Sequence, residues 1–97
     1  MQIHVKSKYT DEDVILDLDG TYGNDSRAIT ATTLFGEPLF TATVALDELP
    51  AEGCVFLKGW SENEGIPEAL VKAGIVELTG RTIPTGYCKA VEAKLLI

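Results

Sequence analysis

The sequence has few of the side chains on which catalytic and metal sites depend. It contains one histidine and two cysteines among its 97 residues. Cys54 and Cys88 lie far apart without the spacing of zinc ligands, and His4 has no cysteine close to it in the sequence. Because zinc sites and Cys–His catalytic pairs bring several such groups together, neither is expected. We predict that both cysteines are buried as small apolar side chains.

Catalytic motifs are equally scarce. Ser61 has no histidine near it in the sequence, and no glycine-rich phosphate loop joins a predicted strand to a helix. Glu62 and Glu64 are two carboxylates, but residues two apart need not converge on one substrate. We therefore predict that the protein is not an enzyme and uses no metal or cofactor.

Long hydrophobic runs are also missing. No run approaches the roughly 20 apolar residues that cross a bilayer, and residues 1–4 lack the basic and then apolar pattern of a signal peptide. We therefore expect a cytoplasmic protein that does not bind membranes. A chain of this length has the size of one small domain, so a single domain over residues 1–97 is expected.

Basic residues are scarce in the first half of the chain. Residues 1–52 contain ten acidic and three basic side chains, whereas residues 53–97 contain five of each, so the net charge of −7 comes from the first half. This charge disfavours direct nucleic-acid binding, because Lys and Arg supply most of that affinity by neutralising phosphates. It fits a protein partner with a basic surface, or it serves only solubility. The predicted acidic patch consists of Asp11, Glu12, Asp13, Asp17 and Asp19.

Two of these aspartates belong to a sequence that resembles a catalytic motif. Residues 17–21, Asp-Leu-Asp-Gly-Thr, resemble the D-x-D-G-T motif that opens the haloacid-dehalogenase-type phosphatases. Such a phosphatase needs several βαβ units of about 30 residues each, which this chain cannot provide. No Asp-Asp or Gly-Asp-x-x-x-Asp motif follows Thr21. We interpret the motif as the end of a strand that enters a loop at residues 20–25.

Alternating apolar and polar residues predict strands over most of the chain. Residues 28–46 are rich in β-branched side chains, which suit a pair of strands. Gly36-Glu37-Pro38 lies between the two strands and predicts a tight hairpin. Residues 75–79 are predicted to be a short strand or extended segment, and residues 80–86 a loop bracketed by glycines. The predicted strands are residues 2–9, 14–19, 28–35, 39–46, 54–60 and 87–97.

One helix is predicted between the last two of these strands. Asn63 is the predicted N-cap and Ser61 the alternative, because either side chain can bond the free N–H groups of a first helical turn. Pro67 is close enough to the start to be tolerated, and Gly74 can end the helix. The apolar stripe of this helix consists of Ile66, Ala69, Leu70 and Ala73. The expected fold is α+β, with one helix packed on an antiparallel sheet of about five or six strands.

The two polar segments that flank the helix are the least generic parts of the sequence. They are residues 60–65, W-S-E-N-E-G, and residues 79–87, T-G-R-T-I-P-T-G-Y. We predict that both lie at one end of the sheet and form one patch with aromatic anchors, since Trp, Tyr and Arg often dominate interfaces. The candidate protein-binding residues are Trp60, Glu62, Asn63, Glu64, Arg81, Thr85 and Tyr87. In the alternative, Arg81 pairs with Glu62 or Glu64 and ties the second segment to the helix start.

These segments resemble a family of small bacterial proteins found on phages and other mobile elements. Its members carry W-S-E-N-E-G, a short helix and then T-G-R-x-I-P-T-G with an aromatic residue, which here correspond to residues 60–65, 66–74 and 79–87. The resemblance implies a mobile-element setting, in which small acidic proteins often inhibit host machinery, and it implies no catalytic residues.

The functional hypothesis combines this resemblance with the charge. It is a non-catalytic acidic protein-binding module, an accessory or anti-defence protein such as an anti-CRISPR inhibitor of a host nucleic-acid-binding complex. The alternative is a small structural protein that forms a homodimer through an exposed edge strand.

Overall fold

The computed structural model describes residues 1–23 and 26–97. In this part of the chain, seven strands form two antiparallel sheets, and one α-helix, α1 (Ile66–Lys72), packs against them. The first sheet has the order β1 (Gln2–Lys6), β2 (Asp11–Thr21), β3 (Arg27–Thr32), β4 (Pro38–Thr41). The second has the order β5 (Cys54–Leu57), β7 (Cys88–Leu95), β6 (Val76–Thr85). The predicted α+β fold is confirmed, although the strands number seven and form two sheets instead of one.

The first sheet is built from consecutive hairpins because the chain alternates strands with short polar turns. In the β1–β2 hairpin, Ile3 pairs with Val14 and Val5 with Glu12. Val5 and Val14 are fully buried, while their sequence neighbours are exposed or only partly buried. This two-residue period places one face of the sheet in the core and the other in water. The tight hairpin predicted around Gly36-Glu37-Pro38 is confirmed as the connection from β3 to β4.

The predicted loop at residues 80–86 is wrong, because these residues belong mainly to strand β6. The pairing of β6 with β7 shifts its register between Leu78 and Thr82, and Gly80 inside this bulge has a φ of 92°. The strand then continues to Thr85, and Gly86, with a φ of 64°, forms the turn into β7. The two glycines therefore lie at a β-bulge and at a turn, where the backbone needs the positive φ angles that glycine adopts readily.

The helix begins later than predicted. Asn63 is not its N-cap and neither is Ser61: both lie in a short 3₁₀ turn, and Gly65 with a φ of 90° precedes the helix. A Cβ atom at Gly65 would lie 3.1 Å from the Cβ of Ser7 and 3.3 Å from the backbone nitrogen of Lys8. The glycine therefore permits both the left-handed backbone and the close approach of the β1–β2 turn.

The two sheets are joined on both sides of the core. On one side, Thr43 forms an antiparallel bridge with Leu57, so the chain after β4 pairs with β5. On the other side, α1 contacts both β1 and β6. Ile66 and Leu70, from the predicted apolar stripe, are fully buried. Gly74, with a φ of 76°, follows the helix as predicted. No helix in the described ranges has the length and hydrophobicity needed to cross a bilayer.

The predicted full burial of the two cysteines is wrong. Cys54 and Cys88 are free thiols and are both half-buried. Each is the first residue of its strand, β5 or β7. Strand ends extend beyond the packed centre of a sheet, so their side chains keep some contact with solvent.

The packing of α1 on the sheets can be tested by truncating two adjacent side chains of the helix, Leu70 and Val71. Leu70→Ala should lower the free energy of unfolding by about 2–5 kcal/mol, because Leu70 is fully buried and its removal leaves a cavity. Val71→Ala is the control, because Val71 is 40% exposed, and its effect should stay within about 0.5 kcal/mol. Urea denaturation followed by circular dichroism measures both. Equal effects of the two substitutions would contradict the packing of α1.

Candidate functional site

The predicted acidic residues all lie on strand β2 and are all exposed. Asp11, Asp13 and Asp17 occupy alternate positions, so they project from the sheet face opposite the core. The interpretation of the D-x-D-G-T motif as part of a strand is confirmed, although Gly20 and Thr21 still belong to β2 and not to a loop. Asn24 and Asp25, in the rest of the predicted loop, lie outside the described residues. We call Asp11, Asp13, Asp17 and Asp19 the acidic face; Glu12 is also exposed, but it pairs with the buried Val5 and so lies on the other side of the strand.

One end of the acidic face surrounds the histidine. His4 Nδ1 lies 2.8 Å from Asp13 Oδ1, and His4 Nε2 lies 2.9 Å from Asp11 Oδ1. Only the doubly protonated imidazole can donate to both carboxylates at once. The hydrogen bond to Asp13 and then that to Asp11 therefore raise the pKa of His4 above its ordinary 6.5. Both ring nitrogens are occupied, so His4 has no free nitrogen to act as a general base.

The other end of the acidic face has no such counter-charge. No ion pair within residues 1–23 and 26–97 involves Asp17 or Asp19. The Asp19 N–H donates to Asp17 Oδ1 over 2.9 Å, which orients the Asp17 carboxylate at the register shift between β2 and β3. These two carboxylates are held on a strand and exposed to solvent.

A hydrophobic hairpin tip lies beside the acidic face and was not predicted as a site. Leu34 is 48% exposed and Phe35 is 92% exposed. Both were expected at the end of a strand over residues 28–35, but β3 ends at Thr32 and they form the turn into β4. The two side chains and Glu12 line one shallow cleft on the surface. The turn motif that starts at Gly36 is the signal that could have placed them at a tip.

The second predicted site does not form the single patch expected. Asn63 is buried and its Nδ2 donates to the Thr41 carbonyl oxygen over 2.7 Å. Glu64 forms an ion pair with Lys8, with 3.0 Å between its Oε2 and the Lys8 Nζ. Glu62 is exposed on the 3₁₀ turn. The side chains of Glu62, Asn63 and Glu64 therefore lie in different environments and do not form one binding surface.

The aromatic anchors of that prediction also lie in different environments. Trp60 is half-buried in a groove of about 280 Å³ that Leu78 and Val91 also line. Tyr87 is fully exposed in the turn between β6 and β7, next to Thr85, which is half-buried at the end of β6. The groove brings Trp60 close to the β6–β7 hairpin, but Tyr87 projects away into solvent.

Arg81 pairs inside the protein, but with different partners from those predicted. Its Nη1 donates to Glu92 Oε2 over 2.9 Å and its Nη2 forms an ion pair with Glu48, so the predicted pairing with Glu62 or Glu64 is wrong. The reason is the strand conformation of residues 80–85, which places Arg81 beside β7 instead of in a loop near the helix. The guanidinium also lies 5.7 Å from the centre of the Phe56 ring.

Glu92 is the buried centre of this network. Its carboxylate accepts the Ala51 N–H over 3.0 Å and the Thr79 hydroxyl over 2.8 Å, in addition to Arg81. The hydrogen bond from Ala51 contributes most to a lowered pKa of Glu92, and Thr79 and Arg81 lower it further against the opposing effect of burial. The network attaches the acidic connector around Glu48 to the second sheet. Arg81 is therefore a structural residue in the fold.

Comparison with protein-family models, curated proteins and solved structures finds no match for this chain. Among the described residues, no group of three or more His, Cys, Asp or Glu side chains is arranged to hold a metal ion. Two surfaces of the described structure are candidates for binding: the acidic face with its neighbouring hairpin tip, and the Trp60 groove.

The contacts of His4 with Asp11 and Asp13 can be tested by measuring the pKa of its imidazole. His4 should titrate above 6.5, and Asp13→Asn should lower its pKa because the strongest hydrogen bond then involves a neutral amide. Asp17→Asn should leave the pKa unchanged, since Asp17 does not contact His4. Because the folded pKa is raised, the contribution of His4 to stability is present below 6.5 and is lost as the pH rises through the folded value. NMR titration of the imidazole protons measures each pKa; a wild-type value at or below 6.5 would contradict this geometry.

The Arg81 network can be tested through stability. Arg81→Ala should lower the free energy of unfolding by about 1–3 kcal/mol, because it removes a donor from a buried carboxylate while solvent screens part of the lost charge. Lys89→Ala, an exposed cation in the same sheet, should change it by less than about 0.5 kcal/mol. The folded pKa of Glu92 is lowered, so its contribution is present above 4.5 and is lost as the pH falls through the folded value. Denaturation curves at neutral and acidic pH measure the effect of Arg81→Ala and the loss of the Glu92 contribution. An Arg81→Ala curve that overlays the wild-type curve at neutral pH would contradict the stabilising role of Arg81.

Proposed function

We propose that this protein is a non-catalytic binding module that docks onto a basic surface of a partner protein through its acidic face. The observation that carries the proposal is the row of four exposed aspartates on one face of β2, of which only Asp11 and Asp13 have a cationic neighbour in the described structure. A strand held inside a four-stranded sheet presents these charges in a fixed geometry. Complementary charge of this kind speeds association and selects partners by their sign.

The spacing of the carboxylates suits a surface that binds nucleic acid. Alternate residues of a strand lie about 6.6 Å apart on one face, so Asp11 with Asp13 and Asp17 with Asp19 present two pairs of negative charge along β2, separated by Ile15. Proteins that bind nucleic acids contact rows of phosphates with Lys and Arg. The partner class that fits this face is therefore a host nucleic-acid-binding complex in the cytoplasm.

The more specific form of the proposal is an anti-defence role. The motifs at residues 60–65 and 79–87 resemble those of a mobile-element family, and an acidic module that covers a nucleic-acid site would act as an anti-CRISPR inhibitor. A catalytic role is less consistent with the site, because both nitrogens of His4 are occupied by carboxylates.

A homodimer joined through an edge strand is the alternative, and β6 is the longest edge strand among the described residues. This edge contains a bulge around Gly80 and a proline at position 84, which lacks an N–H group. Bulges and prolines are features by which proteins prevent edge strands from pairing. These features favour the binding module over self-assembly, and light scattering over a range of concentrations distinguishes a monomer from a dimer.

The proposal predicts a charge-dependent inhibition. Purified protein is mixed with CRISPR effector complexes of the types found in its host, and target-DNA binding is measured. We expect inhibition at micromolar concentration or below, and an Asp17→Asn, Asp19→Asn variant should need about tenfold more protein, since rim charges control association. Asparagine keeps the oxygen that accepts the Asp19 N–H, so the strand geometry should persist.

The matched control removes the same charge elsewhere. Glu68→Gln with Glu77→Gln neutralises two exposed acids on α1 and β6, away from the acidic face, and should leave inhibition unchanged. Added salt should weaken inhibition by the wild type more than by the Asp17, Asp19 variant. Unchanged DNA binding with every effector type would remove the inhibitor form of the proposal. Equal effects of both double variants would refute the acidic face as the contact.

A further inference from the structure

The tip of the β3–β4 hairpin exposes a large apolar side chain without an evident structural need. Phe35 is 92% exposed, and the adjacent Leu34 is 48% exposed. Neither belongs to the buried core or packs against it. Phe is among the side chains that are enriched at protein interfaces relative to the rest of the surface.

The tip is held in one conformation by its own backbone. The Thr33 N–H donates to the Glu37 carbonyl oxygen over 2.8 Å, and the Gly36 N–H donates to the Thr33 carbonyl oxygen over 3.0 Å. The Thr33 hydroxyl oxygen accepts the N–H groups of Phe35 and Glu37, each over 3.2 Å. A side chain presented by an ordered turn loses less conformational entropy when it binds than one on a flexible loop.

The surroundings of the tip carry negative charge. Leu34 and Phe35 share a cleft of about 270 Å³ with Glu12 and with Asp13 of the acidic face, and Glu37 is exposed in the same turn. A second copy of this chain would bring like charges together at this cleft, which opposes self-association. An occupant with apolar side chains next to lysine or arginine satisfies both the apolar lining and the carboxylates.

We propose that Leu34 and Phe35 are the apolar anchor of the acidic face, and that the cleft between them and Glu12 receives a partner segment in which apolar side chains stand beside lysine or arginine. This inference rests on the proposed function and specifies its contact. The carboxylates select a basic partner, while the anchor distinguishes an apolar basic segment from one that is merely basic.

Two synthetic peptides with the same number of lysines serve as probes. In one the lysines alternate with leucine and phenylalanine, and in the other they alternate with serine. Fluorescence anisotropy should show that the wild type binds the apolar peptide about tenfold more tightly than the serine peptide. Phe35→Ala should remove this difference, because it truncates the anchor, and Phe35→Leu should retain most of it.

Matched variants separate the anchor from general hydrophobic attraction and from charge. Tyr87→Ala removes the other fully exposed aromatic side chain and should leave both affinities unchanged. Asp17→Asn with Asp19→Asn should weaken both peptides by a similar factor. Because Phe35 makes no core contact, circular dichroism of Phe35→Ala should match the wild type. Amide NMR shifts on addition of the apolar peptide should cluster at residues 12–13 and 33–37.

The outcomes distinguish this inference from the proposed function. Equal affinity for the two peptides, no effect of Phe35→Ala, or NMR shifts centred on the Trp60 groove would overturn the anchor. Binding that is insensitive to the neutralised aspartates would overturn the proposed acidic contact but not the anchor. If neither peptide binds, both proposals fail.

Discussion

The rest of the structure depends on the burial of the inward faces of two small sheets against each other and against one short helix. The core cluster takes side chains from both sheets and from the helix, so neither sheet buries its inward face alone. The helix has seven residues, which is too short to be stable in water by itself, so its stability comes from the packing of Ile66 and Leu70. On the opposite side, the pairing of Thr43 with Leu57 continues the chain from one sheet into the other. The core and both connections therefore form together.

This arrangement leaves the outer face of β2 available for charge. The two-residue period of a strand sends Val14 and Leu16 into the core and the aspartates into solvent. Mutual repulsion between carboxylates in a row destabilises a fold, but at one end His4 reduces it by contacting Asp11 and Asp13. Asp17 and Asp19 have no equivalent cation in the described structure. Half of the ten acidic residues of the first half of the chain thus lie on one strand, β2, and an ordered apolar tip lies next to it.

The second half of the chain uses its charges differently. Glu92 is buried, and a buried carboxylate is tolerated only when hydrogen bonds and a nearby cation compensate for lost hydration. The Ala51 N–H, Thr79 and Arg81 provide that compensation and hold the connector before β5 against the sheet. Arg81 is consequently committed to the fold. In this half the sequence motifs that stood out correspond to a bulge, a turn, a buried amide and an internal ion pair.

Local patterns in the sequence were sufficient for the fold class, the hairpins of the first sheet, the apolar stripe of the helix and the acidic strand, because each depends on residues close together in the chain. The alternation of apolar and polar residues determines which face of a strand each side chain occupies. The net charge of a segment can be counted from its own residues. The long strand β6, the second sheet, the burial of Asn63 and the partners of Arg81 depend on contacts between distant segments. Glycine in residues 80–86 is compatible with a loop or with a bulge, and only pairing with β7 decides between them. In the same way, the position of Phe35 beside the acidic face depends on the pairing of β3 with β2, and no local pattern encodes that pairing.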